Sequence, residues 1–257
     1  MWYGRFGSRR AGVDQPETSY LESVGDIMSG LLFVFILTMA VFAILFQQQR
    51  EALAETARAQ QQAIAELTQI DNMRKRLLES LAASLKERGV QIQVDPEQGV
   101  LRLPESILFL SGRADLTPAG ERAVRILAEE LSLVLPCYSA APPDGCDPTT
   151  AGKLDVVLIE GHTDNVPIRN APFPDNWSLS AARSITTYQA LVRAAPDLVQ
   201  LKNRRGVPIF GVAGYADQRP VADNRTEAGK RLNRRIDLRF IMTAPAPEVV
   251  EPASAGQ

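Results

Sequence analysis

Between Ile27 and Phe46 the chain reads IMSGLLFVFILTMAVFAILF, twenty positions without a charge, and polarity returns at once in Gln47, Gln48, Gln49 and Arg50. An apolar run of that length covers a hydrocarbon core of about 30 Å as a helix, so one transmembrane helix is expected over 21–46. A cleaved secretory signal would be shorter and would end in small residues, whereas this run is bulky to its end; it is expected to stay as an anchor. From Gln47 to Arg88 the chain lacks Pro and Gly, and Leu53, Ala57, Ile64, Leu67, Leu78, Leu81 and Leu85 recur at helical spacing. This predicts a helical linker over 47–89 that ends at Gly89. Gln60, Asp71 and Arg74 interrupt its stripe, which argues against a strict coiled coil and leaves parallel pairing of two such helices open.

Beyond Gly89 the period changes. Strands are expected near Val90–Val94, Val100–Leu103, Leu154–Glu160, Pro208–Tyr215 and Arg235–Met242. Helices are expected over Pro118–Leu135, with Thr117 as N-cap, over Leu179–Ala194 and over Glu227–Leu232. Alternating strands and helices of this kind define an α/β two-layer sandwich over 90–243. Residues 1–20 form a polar tail with too little apolar material to fold alone, and the Pro/Ala-rich end, 244–257, is expected to be disordered.

Arg5, Arg9 and Arg10 precede the span and the large hydrophilic remainder follows it, which favours a cytoplasmic N-terminus and a periplasmic C-terminal region at the inner membrane. A net charge of -2, with basic residues spread among acidic ones, gives no footprint for direct nucleic-acid binding. Cys137 and Cys146 bracket the loop YSAAPPDG; an oxidising compartment favours a disulfide there over two free thiols. His162 is the single histidine and no Cys/Asp cluster has ligand spacing, so no metal and no cofactor are expected. No Ser-His-Asp or Cys-His arrangement points to a nucleophile, so the chain is not expected to be an enzyme.

Asp26 heads the apolar run, one helical turn after Glu22 and beside Ser29 and Gly30. A carboxylate in lipid costs several kcal/mol or takes up a proton, and it persists where a partner or a water path receives it. The plainer alternative is an interfacial residue that interacts with the helix dipole. The segment DIMSGLLFVFIL resembles the membrane helix of the B subunits of rotary stator motors, the MotB and PomB proteins, in which the matching aspartate carries the ion. Among such subunits it is most similar to those of the Zorya anti-phage defence systems.

A second set of motifs carries a second resemblance. GHTDN within Ile159–Ser184, the LSxxR pattern of Leu179–Arg183 and NRR at Asn233–Arg235 are similar, in order, to the OmpA-like domains of OmpA, Pal and MotB. The resemblance implies that Asp164 and Arg183 bind the diaminopimelate of peptidoglycan, with Thr163, Asn176 and Leu179 flanking the pocket and Asn233 and Arg234 at its rim. The chemistry is intelligible independently, because a ligand bearing an ammonium and carboxylates on one short chain needs both an anion and a guanidinium fork. A turn-stabilising Asp164 and a surface Arg183 are the plainer alternatives. Read together, the two resemblances imply a homodimer within a ring of five polytopic A-type subunits, a proton-driven motor held to peptidoglycan and acting in anti-phage defence. A flagellar stator subunit and a non-conducting membrane-to-wall tether remain as rivals; the tether leaves Asp26 without a purpose.

Overall fold

The computed structural model describes residues 16–245, so the expected tails through residue 15 and from residue 246 lie outside the described residues. The chain forms two compact units, Met1–Gln62 and Ala63–Gln257. The long helix α1 (Pro16–Glu87) contributes to both. In the first unit the large apolar side chains from Ile27 to Phe46 are 48% to 67% exposed around the whole circumference of the helix. An all-round apolar surface suits lipid rather than a protein core. This is the one described helix long and apolar enough to cross a membrane.

The second unit holds a five-stranded mixed sheet. Its strands are β1 (Gln93–Asp95), β2 (Val100–Pro104), β3 (Leu154–His162), β4 (Phe210–Gly214) and β5 (Arg235–Met242), in the spatial order β1-β2-β5-β3-β4. Only β3 and β4 run parallel, joined by α4 (Asn176–Ala194) as their crossover; the remaining pairs are antiparallel. The other helices are α2 (Glu105–Leu108), α3 (Pro118–Val134) and α5 (Glu227–Asn233). Alternation along the strands divides the sheet's two faces. Leu101, Leu103, Val157, Ile159, Ile236, Leu238 and Phe240 join the core with Val124, Leu127 and Leu131 of α3. Arg102, Glu160, His162, Arg235 and Asp237 occupy the opposite face. The whole arrangement is the expected apolar helix followed by an α/β layer structure.

Local signals account for most boundaries. The Thr117 hydroxyl accepts from Gly120 N at 2.9 Å and caps α3 as expected. Gly89 takes φ +78, a conformation that favours glycine, and ends α1 where the sequence placed the end. The first strand begins at Gln93 rather than Val90, because the Val90 amide donates to Leu85 O at 2.9 Å in closing the helix. Helix α4 starts three residues before the expected Leu179, since the Asp175 carboxylate accepts from Ser178 N at 2.7 Å and caps it there. Cys137 and Cys146 are bonded, with their Cα atoms 5.3 Å apart.

One boundary needs correction. Residues 63–89 were expected to be linker, yet they belong to the compact unit: Ile70, Met73, Leu77, Leu78, Leu81 and Leu85 are buried, and the last four join the main core cluster. Arg88 then pairs with Glu129 and Glu130 of α3, at 2.9 Å to the latter. Leu81→Ala should therefore lower the unfolding free energy by about 2 to 5 kcal/mol, the range for a leucine removed from a packed core. Chemical denaturation reads this, and a change below about 0.5 kcal/mol would mean that the helix end is a solvated linker.

Candidate functional site

Strand β3 ends at His162, and the next two residues turn at the carboxyl end of the parallel pair, the usual place for a ligand in sheets with parallel strands. The turn is pinned from several sides. Thr163 N donates to Ala216 O at 2.8 Å and Tyr215 N donates to Gly161 O at 2.9 Å. Ala216, buried, takes φ +49, a conformation costing an L-residue roughly 1 to 2 kcal/mol, and its amide donates to Ser180 Oγ at 3.1 Å. Helix α4 comes close because Gly161 and Gly214 lack side chains: a Cβ on Gly161 would overlap the Ser180 carbonyl. Ser180 Oγ also donates to Trp177 O at 3.0 Å, so its hydroxyl serves the packing of α4.

Above this floor lies a cleft of about 280 Å³, lined by Thr163, Asp164, Asn176, Leu179, Arg183 and Arg234 of the expected residues, and by Glu105, Ser111, Gly112, Glu227 and Lys230 among others. Asp164 divides its carboxylate. Oδ1 accepts from Val166 N at 3.0 Å, the anticipated turn-stabilising bond, while Oδ2 accepts from Arg234 Nη1. Arg234 Nε lies 2.9 Å from Glu105 Oε2, and the other Glu105 oxygen pairs with Arg183 Nη2. Four charges thus alternate in a line, Asp164, Arg234, Glu105, Arg183, and sum to zero. Glu227 and Lys230 pair at 2.8 Å by the mouth and add no net charge.

Arg183 departs from expectation. Neither a surface residue nor a free fork, it is 2% exposed; its Nε donates to Arg113 O at 2.8 Å and its guanidinium lies 5.3 Å from the Phe109 ring centroid. Burial lowers its pKa, opposed by the Glu105 carboxylate. Arg234 is more open; burial works to lower its pKa, and bonding to Asp164 and the Glu105 charge outweigh that and raise it.

Asn176 organises rather than faces outward. Its Nδ2 donates to Val166 O at 3.0 Å and its Oδ1 accepts from Ile168 N at 3.1 Å, folding the 167–175 stretch against the cleft. That stretch forms a wall: Pro167 and Ile168 line the cleft and Asn170 Nδ2 donates to Gly112 O at 3.1 Å. The Thr163 hydroxyl donates to Asp164 O at 2.8 Å.

Asn233 is not at the rim. Fully buried, it accepts from the amides of Val221 and Ala222 at 2.8 and 3.0 Å and donates to Ala222 O, so it staples the loop before α5. Glu105 was missed altogether. It sits on a four-residue helix with no periodic signal, 59 residues before Asp164, and only the tertiary fold brings it there.

The opposite face of the sheet holds a second charged group. Glu160, His162 and Asp237 offer ligand atoms within 4.8 Å of one another, a convergence of β3 and β5 that the sequence spacing did not reveal. Both carboxylates are already paired, Glu160 with Arg239 at 2.8 Å through two oxygens and Asp237 with Arg235 at 3.0 and 3.1 Å. A dication there would add positive charge beside two buried or half-buried guanidiniums, so the arrangement fits an ion-pair scaffold and not a metal centre. Burial lowers the pKa of His162, whose ring stacks on Tyr215 with centroids 5.5 Å apart.

No family model matches the chain. It is 27% identical to motility protein B of Bacillus subtilis over 187 residues, 73% of this chain, and spans 61% of that relative's length. It is 36% identical to outer membrane porin F of Pseudomonas fluorescens over 83 residues, 32% of this chain and 21% of the porin. Among solved structures, a MotB-like protein of Desulfovibrio vulgaris superposes with a TM-score of 0.50 at 20% identity, covering 71% of this chain and 98% of that one. The fold of the C-terminal unit thus resembles that of a MotB-like protein. In sequence, the similarity to motility protein B extends over 73% of the chain.

The ion-pair scaffold predicts a pH dependence. Burial works to raise the Glu160 carboxyl, but the adjacent His162 ring and the two hydrogen bonds from Arg239 outweigh it and hold the group at about 2. A depressed carboxyl stabilises the fold above its unfolded value near 4.5, and that stabilisation is lost as pH falls towards 2. Denaturant titrations at pH 5, 3.5 and 2 should therefore show the parent losing up to about 3 kcal/mol more than Glu160→Gln. Equal losses in the two proteins would rule out Glu160 as a source of acid sensitivity.

Proposed function

We propose that this chain is the B-type subunit of a proton-driven rotary stator, anchored in the inner membrane by α1 and to peptidoglycan by the cleft around Asp164. The observation that carries the reading is the pairing, in one chain, of an Asp-headed apolar helix with a cleft that offers both carboxylate and guanidinium. The similarity to motility protein B, and that to outer membrane porin F over 83 residues, support it. The chain binds and does not cleave: the Ser180 hydroxyl is spent on backbone groups, and His162 lies on the opposite face of the sheet from the core.

The motor half rests on Asp26. Ser29 Oγ donates to the carbonyls of Gly25 and Asp26 at 2.7 and 3.1 Å, which leaves the Asp26 carboxylate without a competing hydroxyl donor from that residue. Gly30, on the same helical face, leaves space for a partner backbone to approach. In the proposed assembly two copies stand within a ring of five polytopic subunits. Proton uptake at Asp26 removes a costly charge and changes its preferred contacts, and release restores them. About 2.3 kcal/mol per charge per 100 mV is several times thermal energy, enough to bias one step. Attachment to the wall keeps the dimer still while the ring turns. The DIMSGLLFVFI segment supports the Zorya branch and an anti-phage role; the similarity to motility protein B supports a flagellar load as the second reading.

Two experiments test the halves separately. Asp26→Asn keeps size and removes the titratable charge, so it should abolish phage protection, or swimming under the second reading, with membrane levels unchanged; full activity would exclude ion carriage by Asp26. For the anchor, the full-length chain in detergent should sediment with insoluble diaminopimelate-type wall, and Asp164→Ala should reduce the bound fraction at least tenfold, since it leaves the ligand ammonium without its anion. Equal sedimentation of parent and variant would place the anchor elsewhere.

A further inference from the structure

In the ligand-free cleft the acidic group assigned to the ligand's ammonium is already taken. Arg234 Nη1 sits on Asp164 Oδ2, while Arg234 Nε keeps a second anion, Glu105 Oε2, at 2.9 Å. Glu105 in turn is held on its far side by Arg183, which is fixed by the Arg113 carbonyl and is 2% exposed. The two arginines are therefore unequal. Arg183 is the immobile one, and the Arg234 side chain, 31% exposed, is free to leave Asp164 without leaving its other partner.

We propose that Arg234 is an exchangeable internal ligand of Asp164, with Glu105 as the positioning residue that makes the exchange affordable; the proposal rests on the wall-anchoring reading of this cleft. An arriving group with an ammonium and a carboxylate on one carbon places the ammonium on Asp164 and receives Arg234 on its carboxylate. Charge is conserved at each position: Asp164 trades one cation for another, and Arg234 trades one carboxylate for another while Glu105 holds its Nε. A ligand with an ammonium alone evicts Arg234 and offers it nothing, so the cleft selects zwitterionic head groups over simple amines. Arg234 becomes the specificity-determining residue and Glu105 the one that sets its swing. With Glu105 neutral, Arg234 has Asp164 as its only anion and resists eviction.

The test is calorimetric titration of the detergent-solubilised full-length chain with meso-diaminopimelate and with cadaverine, the same chain of carbons and ammonium groups without the carboxylates. The parent should prefer diaminopimelate by roughly tenfold or more. Arg234→Gln frees Asp164, so cadaverine should bind more tightly than to the parent while diaminopimelate binds more weakly, and the preference should collapse or invert. Arg234→Lys, which keeps the charge, should restore part of the preference. Glu105→Gln should weaken both ligands with Arg234 still in place. A purely structural role for Arg234 would weaken both ligands alike in Arg234→Gln, and an unchanged ratio overturns the exchange while leaving the anchor reading intact. If the parent binds neither probe, the zwitterion reading of the cleft falls and this inference falls with it.

Discussion

A guanidinium cannot shed its proton to escape burial, so once Arg183 is carried inward on α4 the fold has to supply an anion beside it. Much of the C-terminal unit's functional end is arranged around that demand. Glu105 meets it, and Glu105 stands where it does because β2 pairs with β5 and passes directly into α2, with the Glu105 amide donating to Arg234 O at 3.1 Å. The carboxylate then has a second oxygen to satisfy, which draws in Arg234, and Arg234 draws in Asp164. The order in which these charges alternate is thus fixed by one unavoidable positive charge.

Strand β3 shows how closely two different uses of charge can be set. Glu160 and His162 point away from the helices into a paired, buried set that ties β3 to β5, while the two residues that follow turn into the cleft. Each carboxylate of the scaffold is paired with an arginine, Glu160 with Arg239 and Asp237 with Arg235. In the cleft, Arg234 divides itself between two carboxylates, which leaves one contact that can be replaced without uncovering a charge.

Much of the fold could be read from the chain because it is encoded locally. The uncharged run to Phe46, the Thr117 cap, the Gly89 stop and the strand alternation each depend on neighbours in sequence. The burial of Leu78, Leu81 and Leu85 was visible as a stripe, but a stripe does not say whether it faces a second helix or a sheet. The cleft was legible where short motifs carry it, at Thr163, Asp164, Asn176, Leu179, Arg183 and Arg234, all of which the structure places around one cavity. Glu105 was not, since its neighbours PESIL have no pattern and its partners lie 78 and 129 residues further on, at Arg183 and Arg234. Asn233 was misjudged for the converse reason: proximity to Arg234 in sequence does not say which way the side chain points at a helix end.

The zero sum of charges in the cleft has a kinetic side. Fields that speed encounter come from uncompensated charge, and they fade within about 8 Å at physiological ionic strength. A cleft whose anions and cations cancel exerts little pull beyond contact distance, so on the proposed reading a zwitterionic ligand would find it by unsteered diffusion, at a rate that changes little with salt. Selectivity then lies in how long the ligand stays. In a dense polymer, where the next identical head group is always near, a slow search costs nothing and residence time sets the strength of the grip.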